Sequence, residues 1–256
     1  GLQPITAFLN WGGFGAGGDW STTYAPKPYY VTSQHRAFML ENAEVSYFDL
    51  RGRDHVVVEV WASHVRGRII HGGDLVELVE QFTLLSGRQG PLPAWSQSGA
   101  IVGLEGGTAE VAEIVERLRA HGVPLAGVWL QDWVGIRHTL EGDRLVWNWE
   151  LNREYYRGWS EMVAAWRQRG TRVLTYINPF FSDPRNFTNY RHNFYEEGLR
   201  EGYFVKTPTG EAYKLMSGSI EFYMLDATNP DAAAWMKGII KNEMLRDAES
   251  SGWMAD

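Results

Sequence analysis

Two rhythms of apolar and polar residues divide the chain. Through residue 72 the apolar positions fall in short β-branched and aromatic runs, Tyr29 to Thr32, Ala43 to Leu50 and His55 to Ala62, separated by Gly, Pro and charged turns. Such runs predict strands, and we expect the C-terminal part of a β-sandwich. From Asp74 the period lengthens: Leu75, Leu78, Val79, Phe82 and Leu85 recur at helical spacing behind a capping Asp, and Gly87 stands where a helix stop belongs. Gly90-Pro91-Leu92-Pro93 then halts helix and strand alike, because proline fixes φ and lacks a donor. A domain boundary near residue 93 follows, giving expected domains of residues 1–93 and 94–256.

Beyond Trp95, continuous apolar runs alternate with amphipathic stretches. Ala100 to Leu104, Leu125 to Leu130, Arg172 to Ile177 and Gly252 to Ala255 read as buried strands, with Tyr223 to Asp226 as an additional short one. Between them come three helices. Thr108 is the expected cap of the first, whose Val111, Ile114, Val115 and Leu118 form one face ended by Gly122. The second carries Trp159, Met162, Val163 and Trp166 and runs to Gly170; the third opens on Asn229-Pro230 and turns Trp235, Met236, Ile239 and Ile240 inward. Repeated β-then-α units with unbroken apolar strands predict an α/β fold with a parallel sheet, either a (β/α)8 barrel or an open doubly wound sheet. Only about four units fit in residues 94–256, whereas a full barrel takes about 250 residues, so we expect the first half of a (β/α)8 barrel.

Composition narrows the partners. The 256 residues are 44% apolar, carry 24 Lys+Arg against 31 Asp+Glu for a net charge of −7, and show no basic stripe, which argues against nucleic acid or an anionic membrane. No run is apolar enough to cross a bilayer, and the first residues lack the order of a signal peptide; the missing initial Met suggests that the true start lies upstream. Zero cysteines exclude disulfides and thiolate metal sites and fit a reducing compartment, so a cytoplasmic location is expected. The seven His show no helical metal-ligand spacing, and Gly12 to Gly18 lacks the strand-to-helix setting of a nucleotide loop. No metal and no cofactor are therefore expected. The 12 Trp, 12 Tyr and 11 Phe serve mainly the core, but such rings also stack on sugar faces.

Chemistry should gather at the C-terminal ends of the strands, where Asp132, Asn178 and Asp256 fall. A lone carboxylate ending a buried apolar run is costly unless its charge is used, and Asp256, flanked by Trp253 and Met254, suits a nucleophile screened from water. Asp132 is the rival carboxylate, with hydrogen bonding to sugar hydroxyls the favoured role. Arg144 and Trp147, three residues apart, offer a planar fork and an indole donor for one anionic group, and the neutral amide of Gln131 adds a donor. Asn178 and Trp253 complete the expected substrate-binding set.

These residues resemble glycoside hydrolase family 31, and within it the sulfoquinovosidases. The likeness is carried by Gly87-Arg88-Gln89 with Pro91 to Trp95, by Gln131-Asp132-Trp133 through Arg144 and Trp147, and by Gly252-Trp253-Met254-Ala255-Asp256. It implies a nucleophile at Asp256, sulfonate-binding groups at Gln131, Arg144 and Trp147, and retaining hydrolysis of α-linked sulfoquinovosides. It also implies that the acid/base Asp and a further sulfonate-binding Tyr lie beyond residue 256. Met216 to Glu221 departs from the Gly-Glu-Phe pattern of the family. The competing expectations are an α-glucosidase or α-xylosidase of the same family and a carbohydrate-binding protein on a degenerate barrel.

Overall fold

The computed structural model describes residues 27–139, 142–187 and 189–256, so the Gly12 to Gly18 stretch lies outside the described residues. The chain forms two compact units, Gly1–Pro91 and Leu92–Asp256. In the first, β1 (Tyr29–Val31), β2 (Arg36–Leu40) and β5 (Gly67–His71) make an antiparallel sheet in the order β1-β2-β5, while β3 (Ser46–Asp49) pairs with β4 (Val57–Val60). Helix α1 (Leu75–Ser86) starts as its sequence predicts: Asp74 accepts from the Glu77 N–H at 2.8 Å, and Glu77 reaches back to the Gly73 N–H at 2.6 Å. Its inward face is narrower than the periodicity predicts. Leu78 is buried with Ala37 and Ile70, and Phe82 packs on Tyr29, but Leu75, Val79 and Leu85 are exposed among the described residues.

The second unit is built on β6 (Ala100–Leu104), α2 (Gly107–Ala120), β7 (Leu125–Leu130), α3 (Trp159–Gln168), β10 (Arg172–Ile177) and β14 (Trp253–Ala255). The four strands are parallel, in the order β14-β10-β7-β6. Each strand adds to the same edge of the sheet, the winding of a barrel; a doubly wound sheet reverses direction at its switch point. One face presents Val128, Leu130 and Val173 to Val111, Val115, Met162, Val163 and Trp166 in a single core. The register puts Gly103, Trp129 and Leu174 together on the other face. There Gly103 is needed, because a Cβ would stand 2.8 Å from the Trp129 ring.

Several elements depart from the expected pattern. Thr108 does not cap α2: the cap is Gly106 at φ 119°, and Thr108 Oγ1 donates to the Arg157 carbonyl at 2.7 Å. The backbone must turn left-handed there to aim its N–H at the β7 end, a turn glycine makes without strain. After β7 the chain forms a hairpin, β8 (Ile136–Thr139) with β9 (Gly142–Leu145). After β10 come β11 (Phe180–Phe181), α4 (Phe194–Glu201), and the hairpin of β12 (Lys214–Ser217) with β13 (Ile220–Met224). The short strand expected at Tyr223 to Asp226 thus lies earlier and belongs to a separate antiparallel sheet. Helix α5 (Pro230–Ile239) is capped by Asn229, as expected, and continues as a π-helical segment, Ile240–Asp247.

Candidate active site

Because the four strands are parallel, their C-terminal ends share one edge. Hydrogen bonds tie that edge from strand to strand. Past β6, the Gly106 N–H donates to Asp132 Oδ2 at 2.8 Å; past β7, Trp133 Nε1 donates to the Tyr176 carbonyl at 2.8 Å; on β10, Tyr176 Oη donates to Asp256 Oδ2 at 2.6 Å. The Asp256 N–H closes the row on the Ile177 carbonyl at 2.9 Å. Asn178 supports it, donating to Tyr176 Oη at 3.2 Å and accepting from the Phe180 N–H at 2.9 Å. The structure thus joins Asp256 and Asn178 through Tyr176, a residue the sequence reading did not single out. Its signal was present in the alternation along Arg172 to Ile177, which turns Tyr176 to the face opposite Val173, Thr175 and Ile177.

Asp132 is placed otherwise than expected. It is 0% exposed, Oδ1 accepts from Tyr156 Oη, and Oδ2 accepts from Gly106. With each oxygen accepting from a protein donor and no exposed surface among the described residues, it sits as a buried brace. Burial first and the Asp132 charge second raise the pKa of the Tyr155 and Tyr156 phenols, and the same two causes raise that of Glu105, just past β6.

Trp253 and Met254 stand on β14, which pairs with β10, and are 39% and 46% exposed. The register sets Trp253 opposite Thr175 and Met254 opposite Tyr176. Side chains alternate along a strand, so Met254 and Asp256 share the Tyr176 face and Trp253 points to the other.

The expected anion-binding groups stand on and beside the β8–β9 hairpin. Arg144 is in β9, exposed, with Nη1 donating to the Asp143 carbonyl at 2.9 Å. Trp147 is buried edge-on against Phe180 and Phe222, at 5.3 and 4.9 Å between centroids, and its carbonyl accepts from the Ser182 N–H at 2.9 Å. Gln131 follows β7, half-buried. Trp147 is coupled to Asn178 through Phe180, whereas among the described residues no hydrogen bond or ion pair joins Arg144 to Gln131 or Asp256. The Gly-Asp-Arg segment is a strand start and not a free turn. The cue was the pairing of Ile136 with Leu145 and the left-handed Gly142, φ 103°.

One cluster no sequence spacing suggested joins Glu150, His192 and Glu243, whose ligand atoms lie within 4.8 Å of one another. The Arg191 guanidinium already occupies it, at 2.8 Å from Glu243, 3.1 Å from Asp247 and 3.4 Å from Glu150. It is an ion-pair network that fixes the π-helical segment preceding β14.

A singly wound parallel sheet with carboxylates and amides tied along its C-terminal edge has the layout of a (β/α)8-barrel enzyme. Residues 92–256 match the glycosyl hydrolases family 31 TIM-barrel domain, and the chain belongs to that family. It is 35% identical over 94% of its length to a sulfoquinovosidase of Escherichia coli K12 and 33% identical over 94% to one of Agrobacterium fabrum C58. A solved family 31 sulfoquinovosidase from E. rectale, in complex with the aza-sugar inhibitor IFGSQ, superposes with a TM-score of 0.85 at 30% identity over 98% of the chain. The chain spans 34%, 35% and 37% of these three proteins. Among the described residues no helix is long and apolar enough to cross a membrane.

Proposed function

We propose that the protein carrying this chain is a retaining α-glycosidase that hydrolyses α-sulfoquinovosides and releases sulfoquinovose. The observation that carries the reading is Asp256 at the strand edge, one oxygen accepting from Tyr176 Oη at 2.6 Å and its N–H bonded to the Ile177 carbonyl. A carboxylate fixed through one oxygen presents the other for attack. In the first step Asp256 bonds to the anomeric carbon as the glycosidic bond breaks, and an acid from the remainder of the barrel protonates the leaving oxygen. Water then releases the sugar, with its proton passing to the same group. Asn178 holds the Tyr176 hydroxyl. Gln131, Arg144 and Trp147 receive the sulfonate, Arg144 swinging from the Asp143 carbonyl to bring its fork onto the anion. Asp132 serves as a brace between Gly106 and Tyr156 in place of a substrate ligand.

Support comes from the resemblance carried by Gln131, Arg144 and Trp147 and from the likeness to the two sulfoquinovosidases. An aryl α-sulfoquinovoside, offered beside the aryl α-glucoside and α-xyloside to the full-length enzyme, tests the reading, with NMR following the anomer first released. Preferred cleavage of the sulfonated substrate with retention is expected. A higher kcat/KM on a neutral sugar returns the protein to the glucosidase or xylosidase reading, and binding without turnover to the carbohydrate-binding one. Residues 1–256 alone should not turn over either substrate, since loss of a general acid removes about 10²–10⁴ in rate. The cytoplasmic location belongs to the same proposal and is checked by cell fractionation.

A further inference from the structure

Arg137 is the second cation of the hairpin. In the β8–β9 register it stands directly opposite Arg144, and residues so paired share one face, with Cβ atoms about 5 Å apart. Like charges in that position repel. Arg137 is half-buried: one Nη donates to Ser182 Oγ at 3.3 Å and to the Asp183 carbonyl at 2.9 Å, and the guanidinium lies 5.5 Å from the centre of the Phe187 ring. Its Nε is buried with no hydrogen-bond partner. Burial lowers its pKa, and the Asp183 charge partly offsets this.

Among the described residues no carboxylate forms an ion pair with either arginine of the pair. The Asp183 carboxylate is held by Arg185, whose Nε lies 2.6 Å away, and Asp143, on the hairpin's other face, holds His138 at 2.7 Å. Two facing cations, one of them partly desolvated and neither ion-paired among the described residues, make a site suited to an anion. Ser182 joins it to Trp147: its hydroxyl meets Arg137 while its N–H holds the Trp147 carbonyl at 2.9 Å.

We propose that Arg137 is a further specificity-determining residue: a positioning residue whose fixed positive charge, opposite Arg144, favours a substrate with an anionic head group. The inference rests on the sulfoquinovoside reading above. The test compares wild type, Arg137→Gln and Arg137→Lys of the full-length enzyme on aryl α-sulfoquinovoside and aryl α-glucoside at low and high salt. Arg137→Gln should lower kcat/KM on the sulfonated substrate about tenfold, or about 1.4 kcal/mol, mainly through KM. The neutral substrate should be unaffected, the loss should shrink as salt rises, and Arg137→Lys should restore most of the preference. A role as a strut alone predicts equal losses on both substrates with no rescue by Lys, and that result overturns the inference. Arg137→His gives the same test with a charge that titrates within the assay range. The sulfonated-to-neutral ratio should rise as pH falls through the imidazole range, and a constant ratio overturns the inference. A wild type that prefers the glucoside defeats the substrate reading itself; a wild type that prefers the sulfonated substrate, with Arg137→Gln keeping that preference, defeats this inference alone.

Discussion

Replacing Asp132 separates a sugar-binding role from a bracing one. Its two oxygens accept from Tyr156 Oη and the Gly106 N–H in a site with 0% exposure. Asp132→Ala leaves both donors without an acceptor, and a hydrogen bond to a charged group is worth about 1.5–3 kcal/mol, so the barrel should lose about 3–5 kcal/mol. Asp132→Asn is milder. Its carbonyl still accepts from Gly106, and its amide donates to a Tyr156 hydroxyl that turns round to accept, so only charge assistance is lost, about 1–2 kcal/mol. With an m-value of about 2–3 kcal/mol/M in urea, tryptophan fluorescence of the full-length enzyme should show the barrel midpoint falling by about 1–2 M for Ala and about 0.5 M for Asn. KM of the Asn variant should stay near wild type. An Asn variant as stable as wild type but with KM raised by orders of magnitude would refute the bracing role and return Asp132 to the sugar.

Arg144→Ala should lower kcat/KM on a sulfonated glycoside by about two to three orders of magnitude, the loss of roughly 2–4 kcal/mol of charge-assisted hydrogen bonding, and spare neutral glucosides; equal losses on both sink the assignment. A fluorinated glycosyl inactivator followed by peptide mass spectrometry should label Asp256, and Asp256→Asn should neither label nor turn over, whereas a label on Asp132 would exchange the two carboxylates. Burial first, and then the charge of Asp132, raise the carboxyl pKa of Glu105 above 4.5, so the folded state holds that proton more tightly than the unfolded one. The stability this lends is complete below about pH 4.5 and is lost as pH rises through the folded pKa. Urea midpoints of wild type relative to Glu105→Gln should therefore be higher at about pH 4 than at about pH 7, and a reversed or flat difference contradicts the assignment.

The strands and helices that make up the barrel were legible because each buries one continuous apolar face. Val128 and Leu130, or Met162 and Trp166, announce themselves by spacing alone. Strand order was not legible, since nothing in a single strand says which neighbour it meets; the monotonic β14-β10-β7-β6 order settled barrel against open sheet. Asp256 could be placed at a strand end because strand ends are local. The partners of Asp132 could not, because Gly106 and Tyr156 reach it across 26 and 24 residues. The hairpin went unread because Ile136 to Thr139 and Gly142 to Leu145 mix charged and apolar side chains, and pairing compensates for what burial does not supply.

The strand-to-strand ties separate two things a sugar-cleaving site must do. Gly106 to Asp132, Trp133 to Tyr176 and Tyr176 to Asp256 involve only residues on or next to the four strands, while Arg137 and Arg144 ride on a hairpin inserted after β7. On the proposed reading, the hairpin's length, charges and admitted head group can change without disturbing Asp256. The transplant that exposes this is replacement of residues 136–147 by the matching loop of a neutral-sugar relative: substrate preference should change hands while labelling at Asp256 persists.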